Sequence, residues 1–147
     1  MSCGQKKKTV VCLSLALGVG ICLFTQTGQA QGSLDELKSK WQQKQYDEVL
    51  SPLIDFRLAR GKEEMNFELD YMIAVALCNV ESVKNRGCQY FAWMMVNYSQ
   101  KNRVINGRSV NIPKRMGYYC RAEVDGRADT NIRPWDEILK AAKADLR

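Results

Sequence analysis

Cysteine is the residue type in this sequence whose number and position most directly suggest chemistry. The 147-residue chain contains six cysteines, and Cys78, Cys88 and Cys120 are the three that follow residue 30. Outside the reducing cytosol cysteines tend to pair, and three cysteines allow three single pairings, each leaving one thiol over. We favour a Cys78–Cys88 disulfide and expect Cys120 to be the remaining thiol, either buried and inert or engaged in an intermolecular link.

The absence of histidine narrows the chemistry further. It excludes Ser-His-Asp and Cys-His catalysis, histidine acid–base steps and most zinc sites. A carboxylate enzyme that cleaves glycans would need two carboxyl groups about 5 to 10 Å apart, and no pattern places a second one beside Glu81. Thiol oxidoreductases use C-x-x-C, whereas nine residues separate Cys78 from Cys88. We therefore expect a protein that is not an enzyme and carries no cofactor or metal.

The first thirty residues have the pattern of a secretory signal peptide. Lys6 to Lys8 form a positive segment, and residues 10–24 form an uncharged apolar core that is short for a membrane span of about 20 residues. Gly28 and Ala30 suit cleavage after Ala30, and cleavage after Gly32 fits nearly as well; an uncleaved N-terminal anchor is the alternative. We predict a signal peptide at residues 1–30, a single exported domain at 31–147 in the periplasm or secreted, and no transmembrane helix after processing.

Charge is distributed unevenly along the predicted exported domain. Loss of three lysines with the leader lowers the formal charge from +6 to about +3. No acidic residue occurs between Ser82 and Ala122, and aromatic residues are interleaved with the basic ones. Such segregation favours a positive face that binds anions. The candidate anion-binding residues are Lys84, Arg86, Lys101, Arg103, Arg108, Lys114, Arg115 and Arg121.

Helical periodicity accounts for most of the chain and predicts an all-α fold. Ser33 and Glu36 form a capping box before a first amphipathic helix, and a second apolar stripe ends at Arg60-Gly61, with Pro52 as its one irregularity. Because of Pro52, a single longer first helix ending near Leu50 remains an alternative.

A buried helix over residues 67–80 and another over 87–98 form an antiparallel hairpin. This hairpin brings Cys78 and Cys88 to the same end, which is why we pair them.

The C-terminal part is less regular. Residues 101–110 lose periodicity, and their asparagines and glycine predict a loop. Pro113 opens a short helix that runs to Glu123. A last helix starts at Pro134, with acidic residues in its first turn and basic residues near its end, and we expect it to cap the domain.

A shift of 37 residues superposes the helical pairs, placing Leu34 on Tyr71, Leu37 on Ala74, Trp41 on Cys78, Leu50 on Gly87 and Ile54 on Phe91. A helix pair repeated at this spacing is typical of a helical solenoid. Residues 34–98 resemble a tetratricopeptide-type repeat pair, and residues 44–50 resemble that family's turn into its second helix. Gly87 suits the family's small position in unit two, whereas Lys38, Val75 and Leu50 depart from its small positions. The resemblance implies a concave surface that binds a peptide or protein.

These observations predict an exported helical-repeat interaction or adaptor module that binds a protein or peptide of the cell envelope. The alternative is a binder of anionic envelope lipid or glycan through residues 82–122. A carboxylate-based glycan-cleaving enzyme is a more remote one. Cationic grooves with stacking aromatics also suit single-stranded nucleic acid, but export argues against that partner.

Overall fold

The protein is mostly helical, as the sequence predicts. The computed structural model describes residues 27–61, 64–120 and 132–146. Of the predicted signal peptide, residues 1–26 therefore lie outside the described residues. The elements are α1 (Thr27–Gln42), α2 (Tyr46–Arg60), α3 (Phe67–Asn79), α4 (Lys84–Asn97), β1 (Asn102–Ile105), β2 (Arg108–Asn111), α5 (Ile112–Tyr119) and α6 (Trp135–Asp145), with a short 3-10 turn at Glu81–Val83.

Helices α1 and α2 are separate, which excludes the single longer first helix. The chain turns between them at Lys44, whose φ of 63° is left-handed. Pro52 lies inside α2 on its exposed side, and the helix ends at Arg60 before Gly61, as predicted. The Ser33 capping box is wrong: α1 begins six residues earlier, at Thr27, so Ser33 falls within the helix.

Helices α3 and α4 form the centre of the core. Nearly every residue of α3 is buried, because α2 and α4 pack against it and Trp41 of α1 contacts it. Asn66 caps its N-terminus by accepting a hydrogen bond from the Leu69 amide at 3.1 Å. Gly87 allows α4 to approach very closely, since a Cβ there would lie 2.7 Å from the Cys78 backbone nitrogen. The predicted antiparallel hairpin is therefore present, and α4 begins three residues before its predicted start.

Residues 101–110 are not a loop. They form most of an antiparallel hairpin in which Ile105 pairs with Arg108 across a two-residue turn. Asn106 and Gly107 both have positive φ, 50° and 73°, as a type I′ turn requires. The prediction failed because the two strands are short and mostly exposed, so they show no clear alternation of apolar residues.

Helices α5 and α6 both pack against α4. Helix α5 begins at Ile112 and ends at Tyr119, with Cys120 as its C-cap, so it is shorter than predicted; Glu123, the predicted end, lies outside the described residues. Helix α6 also packs against α2, and its buried residues are Trp135, Ile138, Leu139 and Ala142. None of the helices in residues 27–61, 64–120 and 132–146 is both long and apolar enough to cross a membrane.

Candidate peptide-binding groove and sulfur cluster

A groove of about 360 Å³ separates strand β1 from the start of α3. We call it the β1 groove. Because no residue of β2 lines it, the groove lies on the β1 side of the hairpin. Its lining residues are Met65, Asn66, Phe67, Glu68, Arg103, Val104, Ile105 and Asn106.

The backbone of β1 offers hydrogen-bonding groups on the side away from β2. In an antiparallel hairpin with a two-residue turn, the pair next to the turn is hydrogen-bonded and the following pair is not. Ile105 and Arg108 are the bonded pair, so Val104, opposite Ser109, directs its N–H and C=O to the outer edge. The same alternation of hydrogen-bonded and non-hydrogen-bonded pairs reaches the other end of the hairpin, where the Ile112 amide donates to the Lys101 carbonyl at 3.0 Å. An added strand would find these groups at Val104.

Of the two charged side chains that line the groove, one forms an ion pair and the other is exposed. Glu68 accepts from Lys38 of α1 at 3.3 Å. The Arg103 guanidinium lies over the Phe67 ring, 5.1 Å from its centroid, and its side chain is exposed. Val104 and Met65 are apolar and 71% and 44% exposed. The groove therefore combines exposed apolar contacts with one exposed cation.

A buried polar network supports the floor of the groove. Phe67 packs edge-on against Tyr98 at 5.2 Å between ring centroids. The Tyr98 hydroxyl donates to Asp70 Oδ2 at 2.5 Å, and the Tyr90 hydroxyl donates to Asp70 Oδ1 at 2.7 Å. Arg57 Nε also donates to Oδ1, at 2.6 Å. Both Arg57 and Asp70 are fully buried, and the carboxylate accepts three hydrogen bonds inside the core.

The surroundings of Arg57 show how a charge is accommodated here. Its Nη1 donates to the Gly61 carbonyl at 2.7 Å, and its guanidinium carbon lies 4.0 Å from the centre of a Trp135 ring. Burial lowers the pKa of Arg57, but the charge and hydrogen bond of Asp70 raise it, and the net direction is upward. Burial, followed by the negative charge of Asp70, raises the pKa of Tyr90 and Tyr98 well above 10.0. Arg57, Tyr90 and Tyr98 therefore stay protonated around neutral pH.

The three cysteines of the described chain meet at one place. The structure joins Cys88 to Cys120, with a Cα–Cα distance of 5.8 Å, so the predicted Cys78–Cys88 pairing is not the observed one. The three Sγ atoms nevertheless lie within 4.8 Å of one another, and all three residues are buried. The sequence favoured the pair with the shorter loop, but the packing of α5 on α4 brings Cys120 to Cys88. We call the three residues the sulfur cluster.

The predicted anion-binding residues do not act as one set. Arg86 donates to Asp145 Oδ2 at 3.2 Å, and the Lys101 ammonium donates to the carbonyl oxygens of Met95 and Tyr98 at the end of α4. These two residues therefore hold elements of the fold together. Arg121 lies outside the described residues. The exposed members are Lys84 at the start of α4, Arg103 and Arg108 on the hairpin, and Lys114 and Arg115 on α5.

Sequence reasoning missed the buried network, although it left a signal. Arg57 follows Leu53 and Ile54 at helical spacing, so it belongs to the buried stripe of α2. Asp70 is a charged residue within the apolar run of α3, and its neighbours Leu69 and Tyr71 are buried. Glu81, the residue considered for a glycan-cleaving site, is exposed in the 3-10 turn.

No known family model, curated protein or solved structure matches this chain.

Proposed function

We propose that this protein is an interaction module that binds an extended peptide segment of a partner protein. The observation that carries the proposal is that Val104, whose N–H and C=O point away from β2, is one of the residues that line the β1 groove. An extended segment that joins such an edge gains main-chain hydrogen bonds, and its alternate side chains enter neighbouring pockets.

The groove also favours a class of peptide. An apolar side chain of the peptide would cover Val104 and Met65, two apolar residues that are otherwise exposed. An acidic side chain would pair with Arg103, because Glu68, the other charge of the groove, already pairs with Lys38. The preferred segment is therefore extended, apolar at one position and acidic at a nearby one.

The scaffold we propose for this groove is a tetratricopeptide-like repeat pair with α6 as its cap. In support, α1 contacts α3 through Trp41, whose Nε1 donates to the Met72 carbonyl at 2.9 Å. Gly87 provides a close approach between the helices of the second unit. Helix α6 lies against α2 and α4, where Lys143 pairs with Asp55.

Binding rather than catalysis is supported by how the polar side chains are used. Asp70 is buried and holds three donors, and Glu81 is exposed. The export signal that the sequence predicts at residues 1–30 supports a partner in the cell envelope or outside the cell.

The proposal can be tested with peptides selected against the protein from a random library displayed on phage. Fluorescence anisotropy of the selected peptides would compare the wild type with Val104→Pro. Proline removes the outward N–H and its ring obstructs the edge, while the hydrogen bonds to β2 remain. We expect the affinity to fall about tenfold or more, equivalent to roughly 1.4 kcal/mol.

Ser109→Pro is the matched control, because Ser109 is the cross-strand partner of Val104 and directs its N–H to the opposite edge. This variant should bind the peptides as the wild type does. Arg103→Gln should weaken the peptides that contain an acidic residue and leave the others unchanged. Equal binding by the two proline variants would contradict peptide addition to β1.

A second candidate function is the binding of anionic lipid or glycan, and one feature of α5 favours it. Lys114, Arg115 and Tyr118 are exposed on this short helix, and Tyr118 is 63% exposed. An exposed aromatic ring beside two cations suits the interface of an anionic membrane or a charged glycan.

Cosedimentation with phosphatidylglycerol vesicles, using phosphatidylcholine vesicles as the neutral reference, tests this candidate. Electrostatic binding should weaken as salt rises, because the Debye length shrinks from about 10 Å at 0.1 M to about 3 Å at 1 M. The double variant Lys114→Gln with Arg115→Gln should abolish this salt-sensitive binding. Lys44→Gln with Lys140→Gln removes the same charge from exposed positions elsewhere. Equal loss in both double variants would show only a general charge effect.

A further inference from the structure

The pairing of β1 with β2 decides which residues of β1 can bind an added strand. Val104 and Asn102 are the non-hydrogen-bonded partners of Ser109 and Asn111, so both direct their N–H and C=O groups away from β2. Side chains approach most closely in such pairs, and the Asn111 side-chain amide donates to Asn102 Oδ1 at 2.5 Å. The outer edge of β1 therefore presents two binding residues, separated by one.

The two faces of β1 offer different surroundings to the side chains of an added strand. Successive side chains of a strand point to opposite faces, so Arg103 and Ile105 share one face and Val104 lies on the other. Ile105 is buried, and the Arg103 guanidinium lies over the Phe67 ring, 5.1 Å from its centroid. Val104 is 71% exposed. An added strand would thus alternate between an exposed face beside Val104 and an inner face beside Arg103.

The shortness of β1 favours an antiparallel partner. Antiparallel strands let one residue exchange both hydrogen bonds with the residue opposite, whereas the slanted bonds of a parallel pair reach two different residues. A three-residue antiparallel segment can therefore bond all the outward groups of Val104 and Asn102, while a parallel segment would need about five residues. Since β1 extends only from Asn102 to Ile105, the antiparallel arrangement uses the edge more fully.

We propose that the partner segment runs antiparallel to β1 and reads apolar, acidic, polar from its N-terminus to its C-terminus; this inference rests on the proposed peptide-binding function. The apolar residue lies opposite Val104 and covers its exposed side chain. The acidic residue lies opposite Arg103 in a non-hydrogen-bonded pair, where oppositely charged side chains attract each other. The polar residue lies opposite Asn102, which is exposed. Arg103 therefore determines specificity at the central position.

A second copy of the chain is the less favoured occupant of this edge. Strand β1 contains no acidic residue. Antiparallel pairing of two β1 strands about Val104 would place Arg103 opposite Ile105 of the second copy, without an opposite charge. Glu68 of the same groove does not supply this charge, because it pairs with Lys38 at 3.3 Å. A segment with its own acidic residue complements Arg103 better.

Two fluorescent peptides with identical flanking residues test the order. One carries Val-Glu-Thr and the other Thr-Glu-Val, so their composition and charge are the same and glutamate is central in both. By fluorescence anisotropy we expect Val-Glu-Thr to bind about tenfold more tightly. The reversed peptide must either pair in parallel, with fewer hydrogen bonds to the edge, or place its valine away from Val104.

The direction can be observed with a nitroxide attached to the N-terminus of the Val-Glu-Thr peptide. An antiparallel peptide begins beside the turn between β1 and β2, so the label should broaden the amide NMR signal of Gly107 more than that of Lys101. A label on the C-terminus of the same peptide should broaden the Lys101 signal more.

A change of charge at Arg103 tests its role in specificity. The wild type should prefer Val-Glu-Thr to Val-Lys-Thr by about twofold to fivefold, and Arg103→Glu should reverse this preference. Arg108→Glu is the matched control, because it makes the same charge change on β2, away from the outer edge of β1. This variant should keep the preference of the wild type.

The remaining outcomes separate this inference from the proposed function. Tighter binding of Thr-Glu-Val, or of neither peptide by a protein that binds selected peptides through Val104, would overturn the order alone. Peptide binding that Val104→Pro does not weaken would refute the proposed function, and this inference with it. A dimer that Val104→Pro dissociates in analytical ultracentrifugation would assign the edge to a second copy and overturn the inference.

Discussion

Replacing Asp70 with asparagine tests the buried network most directly. The carboxylate is fully buried and accepts from Arg57, Tyr90 and Tyr98 at 2.5 to 2.7 Å. The amide removes the charge that balances Arg57 and turns one acceptor into a donor that faces another donor. Breaking one partner of a buried ion pair costs about 3 to 5 kcal/mol. Since a domain is stable by only about 5 to 15 kcal/mol, Asp70→Asn should lose a large share of the stability.

Urea unfolding followed by circular dichroism and tryptophan fluorescence would measure this loss. Tyr98→Phe removes one hydrogen bond to a charged group and should cost about 1.5 to 3 kcal/mol, so it remains measurable if Asp70→Asn does not fold. Asp55→Asn is the matched control, since its pair with Lys143 is exposed and should contribute under about 1 kcal/mol. An Asp70→Asn protein with the unfolding midpoint and slope of the wild type would refute the buried pair.

Three further predictions concern packing, hydrogen bonding and pH. Gly87→Ala should lower the free energy of unfolding, measured in urea, by about 1 to 3 kcal/mol, because a Cβ at this position meets the Cys78 backbone. Gly117→Ala is the control, since Gly117 faces open space on α5, and it should be neutral or stabilising. Equal effects of the two variants would contradict the close approach at Gly87. Trp41→Phe should cost about 1 kcal/mol by leaving the Met72 carbonyl without its donor, and an unchanged midpoint would contradict that bond. Burial raises the pKa of four tyrosines, Tyr46, Tyr71, Tyr90 and Tyr98, so in an alkaline titration of the folded protein their phenolate absorbance should appear above the ordinary pKa of 10.0. Because the unfolded chain loses these protons at a lower pH than the folded protein, the free energy of unfolding should be unaffected below pH 10.0 and should fall above it. Phenolate absorbance from all the tyrosines together near pH 10.0 would contradict this prediction.

The helices could be predicted where burial follows a regular period. The apolar run of α3 predicts this helix because nearly all of its residues are buried. The spacing of Trp135, Ile138 and Leu139 predicts α6 because that helix buries one side. The hairpin could not be recognised in this way, since only Ile105 and Val110 of its strands are buried. The pair Asn106 and Gly107 was its usable signal, because few other residues tolerate two positive φ angles in succession.

The candidate sites depend on distances that no sequence pattern encodes. The predicted Cys78–Cys88 bridge relied on separation along the chain, but Cys120 reaches Cys88 through the packing of α5. The basic segment was read as one surface, although Lys101 turns inward to the end of α4. The β1 groove required both the hairpin register and the position of α3, which lie far apart in the sequence.

The position of Trp135 over Arg57 has a consequence for how the domain assembles. Trp135 is the first residue of α6 and covers the Arg57 guanidinium, so water can reach this group from that side whenever α6 is not packed in place. Docking of α6 therefore removes an ion pair from water, which is favourable only when Arg57 and Asp70 are already joined. Without Asp70 beside it, Arg57 would be covered by Trp135 as a buried cation with no anion to balance it. The packing of α6 is therefore coupled to the ion pair between α2 and α3.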